Sequence, residues 1–265
     1  MLKPVKKAVL VRFSSSMGYA AQLAAARTNV VLLLEQHDRP SFILAQYVPE
    51  PGRDAFLAAR GFALEVLKIS PSSSSRASKA LAQLTSSLGV TTSDLKFKFW
   101  SDQVAQIFAD PDLDRAINEP IAFLMRNCLR EGVVLDIAQF HQYLQTRKHF
   151  VDKRRFADTA AICGYGEGTY SQMNYVVQAA LLLEHISPLA ILLLEYSPEL
   201  QQTVLEIAAH LGQATAVLAM LLGAKYYGQN QNLVVLPEDV MTKHGVSQED
   251  FLRFAQGHGA ESALQ

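Results

Sequence analysis

The sequence predicts an all-α protein, a bundle of helices of typical or greater length. Three observations favour this class. Apolar residues recur at steps of three and four, strict two-residue alternation is missing, and helix starts with capping residues recur along the chain. The apolar run at residues 233–236 is too short to build a sheet.

Composition excludes several classes of protein. The 265 residues are 49% hydrophobic and 18% charged, which is too apolar for a disordered chain. A net charge of −1 argues against nucleic-acid binding through overall charge, although it leaves room for a local basic patch. The two cysteines, Cys128 and Cys163, are too few for a disulfide scaffold or a cysteine-rich zinc module.

The first 34 residues form a distinct basic segment. They contain five lysines and arginines and no acid, and the first carboxylate is Glu35. A basic, acid-free start that includes serines and an alanine-rich run resembles a mitochondrial presequence. The alternative is an ordinary first helix with a basic face. We therefore divide the chain into a basic N-terminal segment, residues 1–34, and a helical domain, residues 35–265.

The next elements are helices separated by loops. Residues 51–69 are predicted to be helical, residues 71–75 form a proline- and serine-rich loop, and Thr92 begins another helix. The glycine-rich run 163–168 resembles a phosphate-binding loop only loosely, because no strand precedes it and no Lys-Ser/Thr pair follows it. We expect a flexible break before a helix there.

The C-terminal half contains the strongest helix starts. The most apolar region, residues 173–196, is interrupted by Glu184 and by the Ser187-Pro188 pair, so it predicts two helices rather than a membrane span. Ser197-Pro198-Glu199 begins a long helix. One continuous apolar stripe follows on it: Leu200, Val204, Ile207, Leu211, Ala214, Leu218 and Leu221. Pro237 begins a short helix, and Ser247 with Asp250 predicts a capping box for the last one.

One cluster of cations stands out, at Arg147, Lys148, Lys153, Arg154 and Arg155. Asp152 interrupts it, and a solvated helix face is the default interpretation; a contact with RNA or anionic lipid is the alternative. Asp110, Asp112 and Asp114 alternate as in a calcium loop, but Arg115 and Ile121 replace the required glycine and glutamate. The histidines form no zinc-binding pair. We therefore predict no metal site and no cofactor.

Several blocks, taken together in order and spacing, resemble the squalene/phytoene synthase family. They lie at residues 49–65, 95–100, 165–183, 208–214, 234–239 and 244–247, so the resemblance covers about residues 40–255. It implies an isoprenoid synthase-like helical bundle. Active members of the family condense two isoprenoid diphosphates, and two aspartate-rich motifs hold Mg²⁺ on the leaving group, since Mg²⁺ takes hard oxygen ligands.

Both motifs are degenerate here. The aspartates of the first would fall at Ala63 and Leu67. The second would fall between Leu222 and Leu236, where Ala224 and Gly228 stand, and residues 207–237 contain no Asp or Glu. Without either set of carboxylates the reaction loses its electrostatic basis. We predict no catalytic residue and a pseudoenzyme.

The resemblance is closest to a degenerate mitochondrial branch of the family that assists assembly of respiratory complex I. It rests on residues 226–228 and 244–253. It implies a non-catalytic matrix protein, peripheral to the inner membrane, which contacts other mitochondrial proteins in an assembly intermediate. Two alternatives are an assembly factor of another particle such as the mitoribosome, with the basic cluster facing RNA, and an isoprenoid-binding or prenyl-transferring enzyme. The family continues with further helices where this sequence ends, so we expect a bundle that lacks its final helices and offers an open apolar groove to a partner.

Overall fold

The computed structural model describes residues 18–70, 91–113, 116–153, 155–184 and 186–257, and most of these residues are helical with no strand among them. The all-α class is confirmed. In chain order the helices are α1 (Tyr19–His37), α2 (Arg39–Ala45), α3 (Gly52–Leu67), α4 (Thr92–Ala109), α5 (Pro120–Arg130), α6 (Ile137–Lys153), α7 (Thr159–Gly166), a π-helical turn (Glu167–Ser171), α8 (Gln172–Leu181), α9 (Pro188–Tyr196), α10 (Pro198–Gln231), α11 (Glu238–Lys243) and α12 (Gln248–Ala255).

Several predicted helix starts are confirmed. The helices α9 and α10 begin at Pro188 and Pro198, directly after the serines that the sequence pattern indicates. The capping box of α12 is formed, because the Ser247 side chain accepts from the Asp250 backbone while the Asp250 side chain accepts from the Ser247 backbone. The loop predicted at residues 71–75 lies outside the described residues.

The chain divides into two compact units, and the first takes residues up to 68, 100–137 and 176–198. Its core is built by α1, α3 and α5, whose apolar faces pack together. Gly61 lets these helices approach closely, since a Cβ there would lie 3.1 Å from side-chain carbons of Val30 and Ile121. The ring of Phe62 meets Trp100 edge-on at 5.4 Å.

A buried carboxylate ties the helices of the first unit together. Asp54 on α3 accepts two hydrogen bonds from Arg27 on α1, at 2.7 and 2.8 Å, and a third at 3.1 Å from Asn127 on α5. The hydroxyl of Tyr19 donates to the other side of the Asn127 amide. Half of the predicted basic segment, residues 19–34, therefore belongs to α1 and packs into this unit, whereas residues 1–17 lie outside the described residues.

The second unit takes residues 69–99, 138–175 and 199 onward. Its core combines aromatic side chains from α6 and α7 with small side chains from the long helix α10. Its buried members are Phe150, Phe156, Ile162, Tyr165, Ala216, Met220, Ala224, Leu233 and Val235. The rings of Phe150, Phe156 and Tyr165 lie 5.0 to 5.8 Å apart, and Tyr227 and Phe251 pack against the cluster.

The glycine-rich run is not a break, and that prediction is wrong. Residues 159–181 form one continuous helical stretch that includes the π-helical turn. Gly166 and Gly212 are the points where this stretch crosses α10. A Cβ on Gly166 would lie 2.7 Å from the Cα of Gln213, and one on Gly212 would collide with Ser171. These glycines serve close helix packing, and Ser171 and Asn174 add hydrogen bonds to the carbonyls of Ala209 and Ala208 at 2.9 and 3.0 Å.

The apolar stripe of α10 does not face the core, although such a stripe ordinarily does. The buried row is a different one, in which a small residue or methionine recurs every four positions: Ala208, Gly212, Ala216, Met220, Ala224 and Gly228. The leucines of the predicted stripe are exposed instead, for example Leu211 by 59% and Leu218 by 57%. The reason is the glycine-based crossing, because a backbone contact at Gly212 leaves no space for leucine side chains on that face.

Candidate functional site

The positions where the first aspartate-rich motif would fall lie on α3 in the first unit. Ala63 is buried and Leu67 is half-buried. The carboxylates of the same helix are engaged elsewhere: Asp54 is held by Arg27 and Asn127, and Glu65 pairs with Lys68 at 2.8 Å. The helix therefore presents no pair of carboxylates at the motif spacing.

The positions of the second metal motif lie on α10 in the second unit. Core packing leaves no space for larger side chains there. Ala224 is a member of the buried aromatic cluster. A Cβ on Gly228 would lie 2.6 Å from the Cβ of Ala255 on α12, and 3.4 Å from the ring of Phe251. An aspartate at residue 228 would require α12 to move.

These surroundings do not fit a Mg²⁺–diphosphate site. Magnesium in such a site needs carboxylate oxygens that converge on it. In the described residues no group of three or more His, Cys, Asp or Glu side chains could hold a metal ion.

The structure separates the predicted basic cluster. Arg147 is buried, so its assignment to a surface for RNA is wrong. Its guanidinium lies over the rings of Phe150 and Tyr165, at 5.5 and 5.9 Å, and donates to the Tyr165 hydroxyl at 2.8 Å. Lys148 pairs with Asp94 at 3.0 Å. Arg154 lies outside the described residues.

Lys153 and Arg155, the remaining two cations, border a cavity of about 520 Å³ in the second unit. Its floor is aromatic, from Phe150, Phe156 and Tyr165, and none of the described residues that line it is acidic. The ammonium of Lys153 is exposed, and Arg155 forms one exposed ion pair, at 3.6 Å, with Glu238. An aromatic floor with a cationic rim suits an amphipathic anion. Sequence analysis missed this cavity, because its lining is brought together from α6, α7 and the loop between them.

Two helices present exposed apolar faces. In the first unit, α9 has no buried residue and exposes Leu189, Leu192, Leu193 and Tyr196. In the second unit, the stripe of α10 is exposed along most of its length. Within the described part of the chain, α10 is also the one helix with the length and apolar composition of a membrane span, a test that core helices of soluble proteins pass as well.

Comparison with known proteins identifies the fold. The family model for squalene/phytoene synthase matches residues 34–265. The chain belongs to the squalene/phytoene synthase family.

Two relatives carry the same description, NADH dehydrogenase (ubiquinone) complex I, assembly factor 6. The Bos taurus protein is 23% identical to this chain and the Homo sapiens protein 22%, each over 232 residues. The match covers 88% of this chain and 59% of each relative, so the chain spans about three fifths of the length of these relatives. The predicted family is thus confirmed, and the relatives named here are assembly factors.

Proposed function

We propose that this chain is a non-catalytic assembly factor that assists the assembly of a mitochondrial complex. The complex we propose is respiratory complex I. The observation that carries this proposal is the closed second motif, where Ala224 is buried and Gly228 packs on Ala255. A family member whose metal-binding positions are packed into the core retains the fold but lacks the groups for Mg²⁺-dependent prenyl transfer. The names of the two relatives support the choice of complex I.

The role we assign is contact with other mitochondrial proteins in an assembly intermediate. We place the protein in the matrix, peripheral to the inner membrane, with the basic segment 1–34 directing import. The exposed leucines of α9 support the peripheral contact, because exposed apolar clusters mark surfaces for partners or membranes.

The client is tested by removing the gene and following two particles in isolated mitochondria. We expect assembled complex I to fall and its partial intermediates to accumulate on native gels, while mitoribosomal subunits sediment normally. The wild-type chain should restore complex I. A primary loss of ribosomal subunits, with complex I falling only later, would assign the chain to the mitoribosome instead.

Membrane association is tested by fractionation of mitochondria. We expect the protein to sediment with membranes in low salt and to be released by alkaline carbonate. Leu189→Gln with Leu193→Gln should shift the protein to the soluble fraction. Leu113→Gln, which replaces an exposed leucine outside α9, should not. Retention after carbonate would indicate an integral protein and contradict the proposal.

A second candidate function is binding of an isoprenoid or related amphipathic anion, which the cavity at Lys153 and Arg155 favours. Titration with geranylgeranyl diphosphate in the absence of Mg²⁺ tests it, with geranylgeraniol as the uncharged match. Binding of the diphosphate that Lys153→Gln weakens, and that Lys243→Gln leaves unchanged, would support this function. Equal binding to both variants would locate the ligand elsewhere.

A further inference from the structure

The exposed stripe of α10 has the spacing of a coiled coil. Its seven members alternate steps of four and three, a period of 3.5 residues over three heptads, and we call them the leucine seam: Leu200, Val204, Ile207, Leu211, Ala214, Leu218 and Leu221. The core-facing row of the same helix recurs every four residues instead. One helix therefore has two faces with different periods, and among the described residues the four-residue row is the buried one.

Four large residues of the seam are well exposed. Ile207, Leu211, Leu218 and Leu221 are 55–60% exposed. A contiguous row of this kind is unusual on a monomer, because large exposed apolar patches mark sites of association.

The charges beside the seam allow a second copy of the same chain. Residues 207–237 contain no acid, and Lys225, at the next position of the heptad, is exposed. Glu199 lies at the opposite end of the seam. In a parallel pair Lys225 would face Lys225, and Ala214 would face Ala214 and leave a gap. In an antiparallel pair neither conflict occurs, because the Lys225 end of one helix lies beside the Glu199 end of the other and Ala214 no longer faces itself.

We propose that the leucine seam is the interface of an antiparallel homodimer. The register follows from the spacing, since facing residues have numbers that sum to 425. Val204 then faces Leu221, Ile207 faces Leu218, and Leu211 faces Ala214. Lys225 lies opposite Leu200, next to Glu199 of the second copy, so large residues meet small ones at the centre and opposite charges meet at the ends.

The available area fits a reversible dimer. With roughly 100 Å² of apolar surface for a fully exposed leucine side chain, the exposed fractions of the seam and of the adjacent Leu222 provide roughly 400 Å² per copy. A pair buries roughly 800 Å², which is below the standard size of specific interfaces and fits a weak association. The dimer should therefore form at high protein concentration and dissociate on dilution. This self-association is independent of the client proposed above.

Sedimentation equilibrium of the full chain over a range of concentrations tests the interface. We expect a monomer–dimer equilibrium for the wild type, and a dissociation constant at least tenfold weaker for Leu211→Gln with Leu218→Gln. Leu189→Gln with Leu192→Gln, two exposed leucines of α9, should dimerise as the wild type does. Equal helical content and melting temperature establish that the variants fold.

Three results would overturn the proposal. One is a wild type that stays monomeric at all concentrations. Another is a seam variant that dimerises unchanged. The last is a monomeric wild type that binds vesicles of phosphatidylcholine and cardiolipin through the seam, since the occupant would then be lipid.

Disulfide trapping tests the register. In a Cys163→Ser background, Val204→Cys with Leu221→Cys should form covalent dimers under mild oxidation, and each single cysteine variant should not. An intrachain bond between these positions is excluded, because 17 residues of helix separate them by about 25 Å. Covalent dimers of the single variants would indicate a parallel pair and contradict the register.

Discussion

Restoring an acid to the second motif should destabilise the fold rather than restore a metal-binding position. In Gly228→Asp the new Cβ would lie 2.6 Å from the Cβ of Ala255, and the carboxylate would be placed beside the Phe251 ring. Overpacking of this kind costs about 1–3 kcal/mol, and a buried carboxylate without a partner adds about 2–4 kcal/mol. Better helix propensity than glycine returns less than about 1 kcal/mol. The net loss should be about 2–6 kcal/mol.

The assay is urea unfolding followed by circular dichroism at pH 8, with two reference variants. Gly228→Ala contains the steric conflict without the charge and should lose about 0–2 kcal/mol. Gly164→Asp places the same side chain where a Cβ meets nothing within 4 Å, and should change stability by less than about 1 kcal/mol. A Gly228→Asp variant as stable as the wild type would refute the closed packing at this position.

Three further predictions concern the fold. Asp54→Asn removes the charge that Arg27 and Asn127 share, and should lower the free energy of unfolding by about 3 kcal/mol in urea titrations. Burial raises the pKa of Glu119 to about 7, so the folded state binds more protons than the unfolded chain above pH 4.5, and stability should fall as pH rises from 4.5 to 7. The free energy of unfolding, measured at pH 5 and at pH 8, should therefore fall by up to about 3 kcal/mol less in Glu119→Gln than in the wild type. An equal fall in both proteins would mean that Glu119 does not titrate in this range. Ser247→Ala should destabilise α12 by about 1 kcal/mol through loss of its capping box, seen as faster amide exchange confined to that helix.

Local chemistry determined what could be predicted from the sequence. Proline at the first helical position fixes where α9 and α10 begin, because its φ suits a helix and it has no amide hydrogen to satisfy. The Ser247–Asp250 pair fixes the start of α12, because it satisfies free amides of the first turn. The absence of acid at Ala63, Leu67, Ala224 and Gly228 also needs no structure.

Contacts between distant residues could not be predicted in the same way. The leucine seam has the stronger apolar period, yet the row through Gly212 is buried, because Gly166 and Ser171 come close enough to exclude larger side chains. Arg147 belongs to a basic run in the sequence but pairs with Tyr165, 18 residues further on, in the core. In both cases tertiary packing overrides a local pattern.

Pyrophosphate release from farnesyl diphosphate in the presence of Mg²⁺ tests the central claim most directly, namely that this family member acts without prenyl-transfer chemistry. The purified full chain should release no more pyrophosphate than the same sample after heat denaturation. Release that depends on Mg²⁺, saturates with farnesyl diphosphate and scales with the amount of folded chain would contradict the claim.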